Sequence, residues 1–105
     1  MPQIPLEQLS LSSLHLKQLK ELLRLHIPEA EVWAYGSRVS GGAHEGSDLD
    51  LVVRNPSNLA QAVNGVHDLC EALQSSTLPM LIDVHLWSNL PENFHRNIEK
   101  AYIVI

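Results

Sequence analysis

The segment that most constrains this chain is residues 48–53, which read Asp-Leu-Asp-Leu-Val-Val. Successive side chains of a strand point to opposite faces, so Asp48 and Asp50 would share one face, while the alternate apolar residues point into a core. Two carboxylates held close together repel each other unless a cation lies between them. Mg²⁺ suits this position, because it prefers oxygen ligands and is usually bound by one or two carboxylates together with substrate phosphates. The segment therefore predicts a strand whose acidic face meets metal and phosphate.

A glycine–serine pair, Gly36-Ser37, ends the preceding predicted strand, Glu31–Tyr35, which is rich in β-forming residues. Glycine lets the backbone approach a phosphate closely, and a short helical turn over 37–40 would present N–H groups to an anion. The Ser37 hydroxyl would add a donor and Arg38 a positive charge. A Gly-Ser pair alone is a weak signal, but at a fixed distance before Asp-x-Asp it is a strong one.

A third carboxylate, Asp83, interrupts an apolar run, Met80–Trp87, that predicts a strand covered on both faces. A carboxylate in such a strand needs a cation or a strong hydrogen-bond donor. If this strand lies beside Asp48 and Asp50, the three carboxylates would bind one or two Mg²⁺ ions and orient a nucleoside triphosphate. Asp83 would also be placed to act as general base. The alternative is that Asp83 pairs with an arginine or lysine and the other two aspartates cap a loop.

Apolar residues at helical spacing predict three longer helices. The first would carry a stripe of leucines that includes Leu14, and Pro28 would end it. Gly65 would lie inside the second helix and weaken it by about 1 kcal/mol relative to alanine. The apolar tail, residues 102–105, would dock against the remaining structure. The predicted helices span about residues 10–27, residues 57–74 with Ser57 as the N-cap, and residues 91–100.

Four further side chains have a structural and a functional interpretation. Trp33, Tyr35 and Trp87 are expected to anchor the core or an interface rather than to stack on a nucleobase. His85 lies two residues after Asp83 and would share its face. It would contact substrate, orient Asp83 or serve a structural role, the last being the default.

Size and composition exclude several classes of function. A chain of 105 residues predicts a single domain over 1–105, without a second lobe to hold a small substrate. We expect neither a signal peptide nor a membrane-spanning segment, and the single cysteine fits a reducing cytoplasm. A formal net charge of -5 argues against direct binding to nucleic acid and suits an acidic metal site or a basic partner.

These motifs together resemble a known signature. The chain resembles DNA polymerase beta-like nucleotidyltransferases in their signature, which is matched here by Gly36-Ser37, ten intervening residues and then Asp48-Leu49-Asp50. Within that superfamily the chain most resembles the minimal nucleotidyltransferases. Residues 32–35, 78–83 and 102–105 extend the likeness over almost the whole chain.

The resemblance implies an α+β fold of the polymerase beta-like type, in which helices flank a mixed β-sheet. It implies ATP as substrate and one or two Mg²⁺ ions, held by the residues that also form the catalytic set. Many such proteins pair with a HEPN-domain ribonuclease toxin and, as antitoxins, transfer AMP from ATP to a toxin tyrosine. The implied catalytic and metal-binding residues are Asp48, Asp50 and Asp83, and the implied nucleotide-binding residues are Gly36, Ser37, Arg38 and Ser47.

The loop between the two motifs departs from the family pattern. Relatives often carry arginine or lysine where Ser40 and His44 stand, and those cations would help to hold a triphosphate. Two other functions therefore stay open. In the first, the chain neutralises a HEPN partner by complex formation alone. In the second, it is a stand-alone nucleotidyltransferase that acts on a small hydroxyl compound such as an aminoglycoside.

Overall fold

The computed structural model describes residues 3–40 and 48–105. Short 3-10 helices at Leu6–Gln8 and Trp87–Asn89 accompany the main elements. None of the helices in these ranges is long and apolar enough to cross a bilayer. In chain order the main elements are α1 (Ser13–His26), β1 (Glu31–Tyr35), α2 (Ser37–Ser40), β2 (Leu49–Arg54), α3 (Val66–Ser75), β3 (Ile82–Leu86), α4 (Glu92–Glu99) and β4 (Ile103–Val104).

The four strands form one mixed sheet in the order β3-β2-β1-β4. β1 pairs antiparallel with β2 and with β4, whereas β2 and β3 run parallel. Their register places Tyr35 opposite Asp50 and Asp50 beside Asp83. The expected α+β architecture with a mixed sheet is confirmed, and the Asp83 strand does pair with the strand that follows Asp48, which the sequence had left as a condition.

One face of the sheet forms the main core. The alternate residues of β2 that point to this face are at most 1% exposed, as the period-2 pattern predicts. α1 and α3 cover them with leucines that recur at helical spacing. The buried residues that meet here include Leu19, Leu23, Leu49, Leu51, Val53, Leu69 and Leu73.

The opposite face is divided into a covered half and an open half. Trp33 and Trp87 are buried over β1 and β2, with their rings 5.5 Å apart, and Ile98 of α4 packs against them. Tyr102 stacks on Trp33 at 3.9 Å. The prediction that the two tryptophans are core anchors is confirmed. No helix of the described chain covers the β3 end of this face, where Asp83 is exposed.

α1 begins slightly later than predicted. Ser12 is its N-cap, with Oγ accepting a hydrogen bond from the His15 N–H at 3.2 Å. Leu14, which we placed in the apolar stripe, is 71% exposed because it lies outside the surface that packs on the sheet. The tail docks as expected: β4 joins the sheet edge, and Ile105 N–H donates to the Val32 carbonyl at 2.9 Å.

The predicted helix over 57–74 is wrong in its first half. Asn55 and Asn58 accept hydrogen bonds through their side chains from backbone N–H groups two residues later, so this segment forms turns. Gly65 is the N-cap of α3 and has φ +94°, which a helix interior does not allow. A Cβ at Gly65 would also collide with the His26 carbonyl oxygen. Glycine is therefore required here and marks the start of α3.

The prediction that the Met80–Trp87 strand is covered on both faces is also wrong. The strand is shorter, Ile82–Leu86, and lies at the edge of the sheet. Its apolar residues turn toward the main core, while Asp83 and His85 are exposed on the open half of the other face. Because Asp83 is exposed, its carboxylate does not need a cation or a hydrogen-bond donor to offset burial.

Candidate active site

The sheet brings the predicted carboxylates to one surface. Asp50 and Asp83 are aligned neighbours in the parallel ladder of β2 and β3. Neighbouring strands lie about 4.8 Å apart, and aligned residues point to the same side. Asp48 precedes β2 by one residue and, two residues before Asp50, shares that side. Asp48 and Asp83 are exposed and Asp50 is half-buried, so solvent reaches the surface between them.

The electrostatics of Asp50 reflect this crowding. Burial raises the pKa of its carboxyl group, and the negative charge of Asp83 raises it further. His85 acts in the opposite direction, and Asp48 adds a smaller upward contribution. Two further acidic groups thus act on Asp50, with partial compensation from one imidazole. Such a surface favours a bound cation.

Tyr35 belongs to this surface, although the sequence analysis assigned it to the core or to an interface. It is half-buried opposite Asp50. Burial and the charges of Asp50 and Asp83 raise the pKa of its hydroxyl to about 12, so the phenol stays neutral. Its position directly before Gly36 was a signal in the sequence, whereas its antiparallel register with Asp50 is set by the fold.

Gly36 connects the glycine–serine motif to the carboxylates. It has φ +86°, which favours glycine strongly. A Cβ at this position would lie 2.5 Å from Asp50 Oδ2, so only glycine allows the backbone to approach the carboxylate so closely. The chain then enters α2, with Val39 N–H donating to the Gly36 carbonyl at 3.0 Å. The two motifs that the sequence spaces ten residues apart are in contact.

Arg38 is placed differently from what a solvent-exposed phosphate ligand would require. It is 7% exposed, and its Nη1 donates to the Ser10 carbonyl at 2.6 Å. Ser10 N–H in turn donates to the Arg38 carbonyl at 2.9 Å. These contacts fix the N-terminal segment against α2. Ser47 and His44 lie outside the described residues, and the side chains of Ser37 and Ser40 are not described either.

The donor set suits Mg²⁺ in composition but is not a complete cage. Within residues 3–40 and 48–105, no group of three or more His, Cys, Asp or Glu side chains is arranged so that it could hold a metal ion. Mg²⁺ typically takes one or two carboxylates and completes its shell with water and substrate phosphates. The carboxylates of Asp50 and Asp83, aligned on neighbouring strands beside the Gly36 backbone, fit that mode.

Comparison with known proteins covers this whole surface. Residues 15–105 match the nucleotidyltransferase domain family. The chain is also 38% identical over 98 residues to a curated protein of Haemophilus influenzae (strain ATCC 51907 / DSM 11121 / KW20 / Rd) named "Probable protein adenylyltransferase MntA". That alignment spans 93% of this chain and 84% of the relative. The family match includes the glycine turn and the strands that carry all three aspartates.

Proposed function

This chain belongs to the nucleotidyltransferase domain family, and from that premise we propose that it transfers AMP from ATP to a tyrosine of a HEPN-domain ribonuclease toxin. By this transfer it would act as an antitoxin in the cytoplasm. The observation that carries the proposal is the alignment of Asp50 with Asp83 directly beside the turn at Gly36. The name of the Haemophilus relative, a probable protein adenylyltransferase, supports a protein as the acceptor.

We assign each site residue a role in this reaction. Asp48, Asp50 and Asp83 would hold one or two Mg²⁺ ions. When bound, Mg²⁺ supplies positive charge that neutralises the departing pyrophosphate. The backbone at Gly36 accommodates the triphosphate, and Ser37, Arg38 and Ser47 are the further nucleotide contacts that the family signature suggests.

Of the three site aspartates, Asp83 lies nearest the open edge of the sheet, on β3. Its carboxylate would accept the proton of the tyrosine hydroxyl as Oη attacks the α-phosphorus and the bond to pyrophosphate breaks. Because β3 is an edge strand with Asp83 exposed, an acceptor on the surface of another protein can approach it. This accessibility supports a macromolecular acceptor over a small molecule, which a second lobe would have to enclose.

The test uses ATP labelled at the α-phosphate, Mg²⁺ and a HEPN-domain protein encoded beside this one. We expect the label to appear on a tyrosine of that protein and to be lost with Asp48→Ala. Asp68→Ala, which removes an exposed carboxylate of α3 away from the site, is the matched control and should leave transfer intact. Absence of transfer, or transfer unchanged by Asp48→Ala, would refute the proposal.

A second candidate function is neutralisation by binding alone. The position of Arg38 favours it. This residue, which directly follows the glycine–serine motif, is only 7% exposed, and its guanidinium donates to the Ser10 carbonyl. In that case Asp48→Ala and Asp50→Ala would still suppress the toxicity of the partner in cells. If the enzyme hypothesis is right, both variants lose suppression while still forming the complex.

A further inference from the structure

A hollow lies beside the candidate active site, between the end of β1 and α4. Its volume is about 280 Å³, and it is lined by Tyr35, Gly36, Phe94, Asn97, Ile98 and Ala101. It is continuous with the glycine turn, because Gly36 contributes to both. Ligand pockets in proteins usually measure about 300–1,000 Å³, so this space is sized for one ring system rather than for a whole nucleotide.

We propose that this hollow binds the adenine base of the ATP whose transfer is proposed above. None of its six lining residues carries a formal charge, which suits a neutral base and not a phosphate. The Phe94 ring is 37% exposed and meets Tyr35 edge-on, with the ring centroids 6.2 Å apart at 88°. An aromatic side chain so placed offers a surface on which a planar base can pack.

Asn97 supplies the polar group that would select adenine. Its side-chain amide makes no hydrogen bond to any described residue, and it points from α4 into the lining of the hollow. A carboxamide can accept from the N6 amine of adenine and donate to N7, a bidentate pairing that guanine cannot match on the same edge, where it presents the two acceptors O6 and N7. Asn97 is therefore a specificity-determining residue in this proposal.

The positions across the sheet face assign the base, and not the acceptor, to the hollow. Strand order places Asp83 on β3, Asp50 on β2 and Gly36 directly after β1, with the hollow on the α4 side of Gly36. An acceptor hydroxyl has to approach Asp83, at the far end of this row. A nucleotide with its base in the hollow would extend its phosphates past Gly36 toward the carboxylates and leave the β3 edge open.

The experiment measures binding of Mg-ATP, Mg-GTP and Mg-tripolyphosphate to the full chain by titration calorimetry. We expect the wild type to bind ATP about tenfold more tightly than GTP. Phe94→Ala and Asn97→Ala should each weaken ATP binding about tenfold and leave tripolyphosphate binding unchanged, since stacking and paired amides contribute on that scale. Phe94→Tyr keeps the ring and should bind ATP normally. Asn93→Ala, the same substitution one turn earlier on α4 and outside the hollow, is the matched control.

The possible results separate this inference from the function on which it rests. If ATP and tripolyphosphate bind equally well and neither variant alters ATP binding, the base site is refuted while the nucleotidyltransferase function stands. If Phe94→Ala and Asn97→Ala leave ATP binding unchanged and raise only the KM for the protein acceptor in the labelled transfer assay, the hollow holds the acceptor. The inference is again refuted in that case. If neither ATP nor tripolyphosphate binds to the wild type, the proposed function fails as well.

Discussion

The two faces of β2 differ in what they contribute, although both are formed by alternate residues of one six-residue strand. Toward α1 and α3 the strand presents Leu49, Leu51 and Val53, which are closed off from solvent. Toward the other side it presents Asp50, half-buried at the open end, and Arg54 at the covered end. Apolar burial on the first face stabilises the strand, and this fixed strand holds Asp50 beside Asp83 despite their repulsion.

Asp50→Asn should give the largest separation between the two faces. The amide keeps the shape but removes the charge, so we expect AMP transfer to fall by at least about a thousandfold, equivalent to about 4 kcal/mol. The folded state raises the pKa of Asp50, so ionised Asp50 disfavours folding above its ordinary pKa. In metal-free buffer near pH 7 the variant should therefore melt at the same temperature as the wild type or higher.

The measurements are initial rates of AMP transfer with Mg²⁺ present and, separately, thermal melts of both proteins in the presence of a chelator. A lower Tm in Asp50→Asn would contradict the comparison, because it would mean that the acidic face also stabilises the sheet. Full activity would refute the role of Asp50 in the reaction.

Leu51→Ala tests the opposite face one residue away. Leu51 is fully buried, and truncation of such a leucine costs about 2–5 kcal/mol through lost burial and the cavity left behind. We expect the urea midpoint to fall accordingly, while activity per folded molecule stays near that of the wild type at low temperature. A loss of activity in molecules shown to be folded would mean that the core face also tunes the site.

The next prediction compares two glycines that share a backbone conformation. Gly36→Ala and Gly65→Ala each force an L-residue to positive φ, at about 1–2 kcal/mol, and each new Cβ meets a neighbour. Gly36→Ala would press on Asp50, so transfer should fall at least tenfold in addition to the loss of stability. Gly65→Ala would press on the His26 carbonyl and should lower stability only.

Thermal melts and initial rates of both variants check this pair. Equal loss of activity in the two would show that activity follows overall stability rather than the contact between Gly36 and Asp50.

Gly65 also shows where reasoning from the sequence stops. Short-range patterns predict four features that are all present: β1, β2, the one-turn helix after Gly36 and the docked tail. The apolar spacing over 57–74 is equally regular. Its first half forms turns because two asparagine side chains and a left-handed glycine, which spacing does not reveal, override the periodicity.

The candidate site was predictable to a similar extent. The alternation in 48–53 predicts two carboxylates on one side, and the assumption that the Asp83 strand lies beside them was enough to add the third. The exposure of Asp83, however, depends on which side of the sheet the helices cover. The places of Tyr35 and Phe94 at the site depend likewise on strand order and on how α4 packs, and these are tertiary facts.

The smallest effect is expected at the covered end of the second face, for Arg54→Met. The guanidinium lies 3.9 Å from the Trp33 ring centroid and 4.4 Å from that of Trp87, and Nη1 pairs with Glu31 at 3.0 Å. Methionine would lose these interactions, but it would also remove the buried Nε that has no hydrogen-bond partner. Glu31 would remain partly solvated and would still accept from Trp33 Nε1 at 2.7 Å.

The opposing terms for Arg54→Met are of similar size, since each cation–π contact contributes from about 0.5–1 kcal/mol when exposed to about 2 kcal/mol when desolvated, and an unsatisfied buried donor costs about 1–3 kcal/mol. We therefore expect a net change of about 1 kcal/mol or less in the free energy of unfolding, measured in urea, with normal AMP transfer. A loss of transfer without a loss of stability would show that the covered half and the open half of this face act together in the reaction, because Trp33 lies on β1 only two residues before Tyr35.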